Sequence, residues 1–257
     1  MYEYPADFYL YLASFALRSA RRIVPQVVGV LPVRSVADFG CGQGAWLSVW
    51  QDAGISVAGV DGPYVDRGRL LIDPAHFHAA DLAAPIDLGR RFDLVQSVEV
   101  AEHLPAAKAP LFVETLTAHG PCVLFSAAVP GQGGENHVNE QPLGYWRALF
   151  RAKGFVAVDW LRPLMRDDAK IEPWYRYNII LYLAEDHLPA LPEVVRSRVV
   201  ADTQELADYR PLSYRLRNAV LRQLPVGTVS RLSRLRSALA ARKAGLKSHP
   251  AQNSALR

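Results

Sequence analysis

The sequence predicts an α/β fold, a doubly wound, mostly parallel sheet of seven strands with an antiparallel last strand and a helical C-terminal extension. Three observations carry this. Short β-branched runs alternate with longer helical segments, the arrangement that gives a parallel sheet with crossover helices. The first such run opens, in VADFGCGQGAW, onto alternating glycines and then a helical stretch. Beyond His187 the strand pattern stops and helical periodicity, broken by prolines, takes over.

In chain order, residues 1–30 read as an N-terminal helical segment, with aromatic and aliphatic residues at helical spacing from Asp7 to Val28. Residues 31–186 hold the seven strands: SVADFG, SVAGVDG, HFHAADL, FDLVQSVEV, PCVLFSAAVP, FVAVDWL and YNIILYLA. Between them fall helices at Ala45 to Ala53, Pro105 to His119 and Gln141 to Lys153. The last two strands are separated by Arg162 to Arg176, rich in prolines and charges with little helical pattern, so a loop is expected there and the strands form an antiparallel edge pair. Residues 187–246 read as a basic helical extension, and 247–257 as a disordered tail.

Half of the 257 residues are hydrophobic, which supplies a core and excludes disorder throughout. No apolar run is long enough for a membrane span, and the N-terminus lacks the basic start and cleavage site of a signal peptide, so the expected location is the cytoplasm. Two cysteines, Cys41 and Cys122, are too few for a disulfide framework and read as small buried residues. Charge is asymmetric. From Tyr209 to Arg257 there are eleven Lys or Arg and no Asp or Glu, which leaves the first 208 residues with 18 basic and 25 acidic side chains.

A strand running into Gly40, Gly42 and Gly44 and then a helix makes a tight turn where backbone approaches a ligand, because a Cβ would intrude. The glycines fit a dinucleotide site loosely as well. Asp38 argues against it: a carboxylate beside the turn repels a pyrophosphate and welcomes a cationic methionyl group with its ammonium. Asp61 then ends the next strand, where a carboxylate can accept from both ribose hydroxyls, and Asp81 follows the third.

The set DFGCGQG, VDG and ADL resembles the class I S-adenosylmethionine-dependent methyltransferases over about residues 32–184. The resemblance implies the Rossmann-like methyltransferase fold and S-adenosylmethionine as cofactor. It places Asp38 and Gly40 near the methionyl part, Gly42 with Gly44 under the cofactor backbone, Asp61 on the ribose, and Asp81 with Leu82 at the adenine.

The strand FDLVQSVEVAEHLP ends on Glu99, Glu102 and His103, and the later loop GQGGENHVNEQP brings His137 and Glu140 to the same end of the sheet. Two readings compete. In one, His103, His137 or Glu102 takes the proton of a substrate hydroxyl, with Glu99 shaping the cofactor pocket. In the other, Glu99, Glu102, His103 and His137 gather a divalent metal, a pattern that resembles the small-RNA 2′-O-methyltransferases and the ubiquinone-pathway O-methyltransferases. The run LFSAAVPGQGGENHVNEQPLGYWRALFRAKGF resembles a group of bacterial methyltransferase-domain proteins. The aromatics Trp160, Trp174, Tyr175 and Tyr177 read as core rather than lid.

In the tail, leucines and valines recur at spacings of three and four with arginines opposite, a basic amphipathic helix pair broken near Pro225 and Gly227. Docking on the domain, contact with anionic membrane and nucleic-acid binding all fit. The lack of an aromatic for base stacking after Arg215 makes nucleic acid the weakest. The expected activity is methyl transfer from S-adenosylmethionine to an oxygen of a small molecule, glycan or lipid-linked saccharide. An RNA-directed 2′-O-methyltransferase, a non-catalytic cofactor-binding partner and a dinucleotide-dependent oxidoreductase remain as alternatives.

Overall fold

A computed structural model describes residues 6–243. The expectations for 1–5, for 244–246 as the end of the extension and for 247–257 as a disordered tail lie outside the described residues.

The chain opens on α1 (Ala6–Val28), whose Ala20, Ile23, Val24 and Val27 fall on one face and are fully buried. The alternating unit follows: β1 (Ser35–Phe39), α2 (Ala45–Asp52), β2 (Ser56–Asp61), β3 (Phe77–Ala79), β4 (Leu94–Val98), α3 (Ala109–His119), β5 (Cys122–Ser126), α4 (Leu143–Arg151) and β6 (Phe155–Val158). Then come α5 (Leu161–Met165), α6 (Pro173–Asn178), β7 (Ile180–Ala184), α7 (Glu193–Arg196), α8 (Leu212–Leu221) and α9 (Val226–Lys243).

The seven strands form one sheet in the order β3-β2-β1-β4-β5-β7-β6. β1 to β5 pair in parallel, and β7 inserts antiparallel to both β5 and β6. β4 and β5 are buried along their whole length, as strands covered on both faces must be. Two apolar clusters do the covering. One joins α1 to Trp46, Leu47 and Trp50 of α2 and to Trp160 and Leu161. The other joins Phe112 and Leu116 of α3 to Trp146 and Phe150 of α4, with Phe150 stacked on Tyr182 of β7 at 3.9 Å. Cys41 and Cys122 are buried and free.

Three segments differ from expectation. HFHAADL yields only the three residues of β3, so Asp81 falls in the turn beyond, where its carboxylate accepts from the Ala83 N–H. The 162–176 segment is not a plain loop. It carries α5 and α6, each too short for periodicity to reveal. The first part of the 187–246 extension is helical only in a 3-10 turn at Leu188–Ala190 and in the four-residue α7. It runs along β6, where Val200 N–H donates to Ala157 O and Asp159 N–H to Arg198 O, covering an otherwise open sheet edge. Prolines at 189, 192 and 211 each stand at the start of a short helical turn or helix, where a missing N–H costs nothing, and so divide the segment. No helix among the described residues is long and apolar enough to cross a membrane.

Candidate active site

The strand order reverses between β1 and β4, and a crevice outside the carboxyl ends of the strands opens at such a point. Asp38 and Gln96 face each other there across the β1–β4 pairing. Trp50 Nε1 donates to Gln96 Oε1 at 3.0 Å, which turns the amide so that Nε2 donates to Asp38 Oδ2 at 2.9 Å. Asp38 Oδ1 is buried with no partner. Burial, with the charge of Asp61 adding to it, pushes Asp38 up to about 8 against the lowering bond from Gln96.

Beyond β1 the chain turns through Gly40, Gly42 and Gly44, all at positive φ. A Cβ on Gly40 would collide with Val100, whereas one on Gly42 would meet nothing within 4 Å. Gly42 therefore opens onto the cavity itself, and its missing side chain is room for a ligand. Gly44 lies outside the cavity lining, backed by Ile72, and caps the start of α2. Asp61 fastens the turn to β2: its Oδ2 accepts from Gly42 N–H at 2.7 Å, and its Oδ1 from Gly62 N–H and Tyr64 Oη at 2.7 and 2.6 Å. Burial raises Asp61 and these donors oppose the rise.

The cavity measures about 800 Å³, a size that holds a nucleoside-bearing cofactor with an acceptor beside it. Its walls carry Asp38, Gly40, Gly42, Asp61, Asp81, Leu82, Glu99, Glu102, His103 and His137. Of the catalytic and cofactor-binding candidates read from the sequence, only Gly44 stands behind the wall. Asp81 is exposed at the rim and Leu82 buried beside it. Trp174 and Tyr175 line the same cavity, and Tyr175 packs edge-on against Trp46 at 5.2 Å. Trp160, Tyr175 and Tyr177 are buried as expected of core.

Glu99 follows β4 at φ 57, a left-handed backbone uncommon for a residue with a side chain. Its carboxylate accepts from Gln132 Nε2 and Asn178 Nδ2, so it is engaged with the wall. Burial pushes it up to about 7, against lowering by Gln132, Ser126, His137 and Asn178. Glu102 and His103 follow in a single 3-10 turn. Backbone bonds from Val138 and Asn139 to Glu102 O dock the 131–140 loop on that turn and set His137 edge-on to His103, ring centres 4.9 Å apart.

Ligand atoms of Glu102, His103 and His137 all lie within 4.8 Å of one another. Both carboxylate oxygens of Glu102 are buried and no side-chain donor meets them; burial together with the Glu99 charge raises it well above the usual range, against lowering by the backbone of Glu102 and Ala128. Burial and the neighbouring His137 lower His103 to about 3, so it is neutral, its Nδ1 donating to Asn136 O. His137 Nδ1 donates to Glu140 Oε1 at 2.8 Å. Glu140 also accepts from Gly131 and Gly133 N–H, and these donors hold it below the usual range although its burial works the other way.

The model of a methyltransferase-domain family matches residues 3–147. The chain belongs to this family. With it the sheet, the acids and the glycine turn belong to a class I methyltransferase that uses S-adenosylmethionine, and the dinucleotide reading falls away. The fold is similar to that of the sugar N-methyltransferase KedS8 from Streptoalloteichus sp. ATCC 53650, at 17% identity and TM-score 0.51 over 66% of this chain and 87% of that one. It is also similar to DesVI from Streptomyces venezuelae, at 17% identity and TM-score 0.53 over 71% of this chain and 99% of that one. The small RNA methyltransferase HEN1 is similar at 16% identity and TM-score 0.51, over 65% of this chain and 25% of that one. No curated protein matches the chain in sequence. The residues fit the cofactor: Asp38 Oδ1 lacks a cationic partner, and Gly42 leaves a cradle that a Cβ would fill.

Sequence reasoning gave Glu140 no role and missed Gln96, Tyr64, Gln132 and Asn178. The His-x-x-Glu spacing was a signal for Glu140. Tyr64 reaches Asp61 from three residues away, while nothing local marks Gln96, Gln132 and Asn178, whose partners lie far off in the chain.

Proposed function

We propose that this methyltransferase acts on an oxygen of a small molecule, glycan or lipid-linked saccharide, with His137 as the base. The observation that carries the reading is His137 on the wall of the cavity that holds Asp38 and Asp61, with Glu140 bonded to it from behind that wall. S-adenosylmethionine supplies an electrophilic methyl, which passes to the acceptor oxygen as the carbon–sulfur bond breaks and the carbon–oxygen bond forms. Glu140 fixes the proton of His137 on Nδ1 and leaves Nε2 to take the hydroxyl proton. His103, already neutral with Nδ1 donating to a carbonyl, braces the ring. Asp38 receives the ammonium, and Asp61, in place at the end of β2, takes the ribose. Positioning of the acceptor supplies the remainder of the rate.

One observation favours a second reading of the same cluster. The two oxygens of Glu102, met by no side-chain donor and beside two imidazoles of which one is oriented by a carboxylate, are a donor set that suits a divalent metal. Glu102, His103 and His137 would hold it, with Glu99 outside because its oxygens are taken. It would act as a Lewis acid toward acceptor hydroxyls.

The test is calorimetric titration with S-adenosylmethionine and with NAD, followed by release of S-adenosylhomocysteine from hydroxyl and amine acceptors. Only S-adenosylmethionine binds, and Asp61→Ala weakens it by roughly 10- to 100-fold. His137→Gln keeps cofactor affinity and loses about 10²- to 10⁴-fold in turnover. Turnover confined to amines sinks the oxygen assignment, and loss of turnover on chelation selects the metal reading.

A further inference from the structure

We propose that α8 and α9 form a platform that lays the mouth of the cavity on an anionic lipid surface, and that the methyl acceptor is an amphiphile drawn from that surface. The acceptor half rests on the methyl-transfer reading above.

Besides the apolar residues they turn inward, these helices carry a second apolar stripe on the outside, where a surface helix is ordinarily polar. On α8, Leu212, Leu216 and Val220 recur every four residues and are 68%, 60% and 64% exposed. On α9, Leu232, Leu235 and Leu239 share a face and are 48%, 63% and 60% exposed. Inward, Leu221 and Val229 close on Gly133 and Tyr214 packs on Tyr177, and polar contacts accompany them. Arg217 Nη1 donates to Gln132 O, Asn218 is buried with its carbonyl against Gly131, and buried Ser230 lies within 3.4 Å of Asn136 N. These contacts fix the rotation of both helices with the leucines facing out.

Charge selects the occupant. Neither helix carries an Asp or Glu, and the chain from Tyr209 onward has eleven basic residues and no acidic one. Arg215 pairs with Asp208 and Arg234 with Glu135, while Arg222 and Arg231 are exposed and, among the described residues, belong to no ion pair. An apolar stripe flanked by unpaired arginines matches the boundary between acyl chains and anionic headgroups, where the leucines enter and the guanidinium groups meet phosphate. The platform is continuous with the site. Leu232 belongs both to the exposed stripe and to the cavity lining, with Leu221 and Val229 behind it. An apolar tail can follow these residues inward while its polar end reaches His137. There the acceptor oxygen gains the methyl released from sulfur and gives its proton to the imidazole.

Flotation of the full chain with phosphatidylcholine vesicles, with and without phosphatidylglycerol, reads the platform. The expected result is binding at least roughly tenfold stronger with phosphatidylglycerol, reduced by salt. The triple variant Leu216→Ser, Val220→Ser, Leu235→Ser loses that binding, while its calorimetric affinity for S-adenosylmethionine stays at the wild-type value and reports an intact fold. Failure of the full chain to float, equal binding to neutral vesicles, or a dimer that the triple variant dissolves would each overturn the platform. Incubation with labelled S-adenosylmethionine and an extract of host cells reads the acceptor. Label enters the organic phase, and its absence there overturns the amphiphile. A full chain that floats without binding S-adenosylmethionine refutes the methyl-transfer reading and leaves the platform standing.

Discussion

Asp38 and Asp61 end neighbouring strands and are solvated in opposite ways. Asp61 has three donors, from Gly42, Gly62 and Tyr64, while Asp38 has Gln96 alone and one buried oxygen with nothing opposite. The difference assigns them different work: Asp61 holds the turn in shape before any ligand arrives, and Asp38 waits for a cation. Because burial pushes Asp38 up to about 8, it is protonated at neutral pH in the free protein. An ammonium favours the ionised form, so binding expels that proton. Affinity for S-adenosylmethionine is therefore expected to fall by up to about tenfold per pH unit as the pH drops below 8. Titrations at several pH values, in buffers of different ionisation enthalpy, check both the slope and the released proton. Asp38→Asn binds weakly with no slope, and a slope that survives the substitution assigns it to another group. This carboxylate and the glycines beyond it were legible because they are contiguous in the chain. Gln96, which aims the carboxylate, was not, because it comes from a strand 58 residues on.

Elements between the strands carry the parts that periodicity could not show. Arg162 opens α5 fully buried, bonded through Nε and Nη2 to Asp159 and through Nη1 to Tyr177 O, with Tyr209 stacked over its guanidinium at 5.1 Å. One side chain thus ties the end of β6 to α6 and to the strap that covers the β6 edge. In the sequence it stood among prolines and charges and looked like loop, because α5 spans five residues and shows no amphipathic repeat. Arg162→Ala leaves Asp159 charged and buried without its partner, and is expected to cost about 3–5 kcal/mol in urea unfolding. A loss under about 1 kcal/mol would mean that water reaches Asp159 and that the strap is held by its backbone bonds alone. The His103–His137 contact is an effect at the same scale. The residues are brought together by the docking of the 131–140 loop on Glu102 O, a backbone event with no signature in side-chain pattern.

For the molecule as a whole, strand number and order of alternation followed from the sequence because each depends on burial pattern, and the reversed last strand followed from the absence of a long crossover helix between the last two strands, which holds although two short helices lie there. The strap and the platform did not, since they are set by what the sheet edge and the cavity mouth leave uncovered. The cavity also links the site to global stability. The folded-state value of Asp38, about 8, lies above its ordinary value of 3.8, so between these limits the folded protein keeps a proton that the unfolded chain has released. Rising pH therefore favours unfolding through this group, beginning near 4 and ending near 8. Asp38→Asn cannot ionise and escapes that loss. The thermal midpoint of the variant relative to the wild type is expected to climb steadily between pH 4 and 8 and then level off, when both are measured without cofactor across that range. Saturating S-adenosylmethionine stabilises only the form that binds it, and so reverses the order at pH 8, raising the wild type above the variant. A midpoint difference that ignores pH would show that Asp38 is ionised before the cofactor arrives, and the cation-seeking role assigned to its unpartnered oxygen would fall with it.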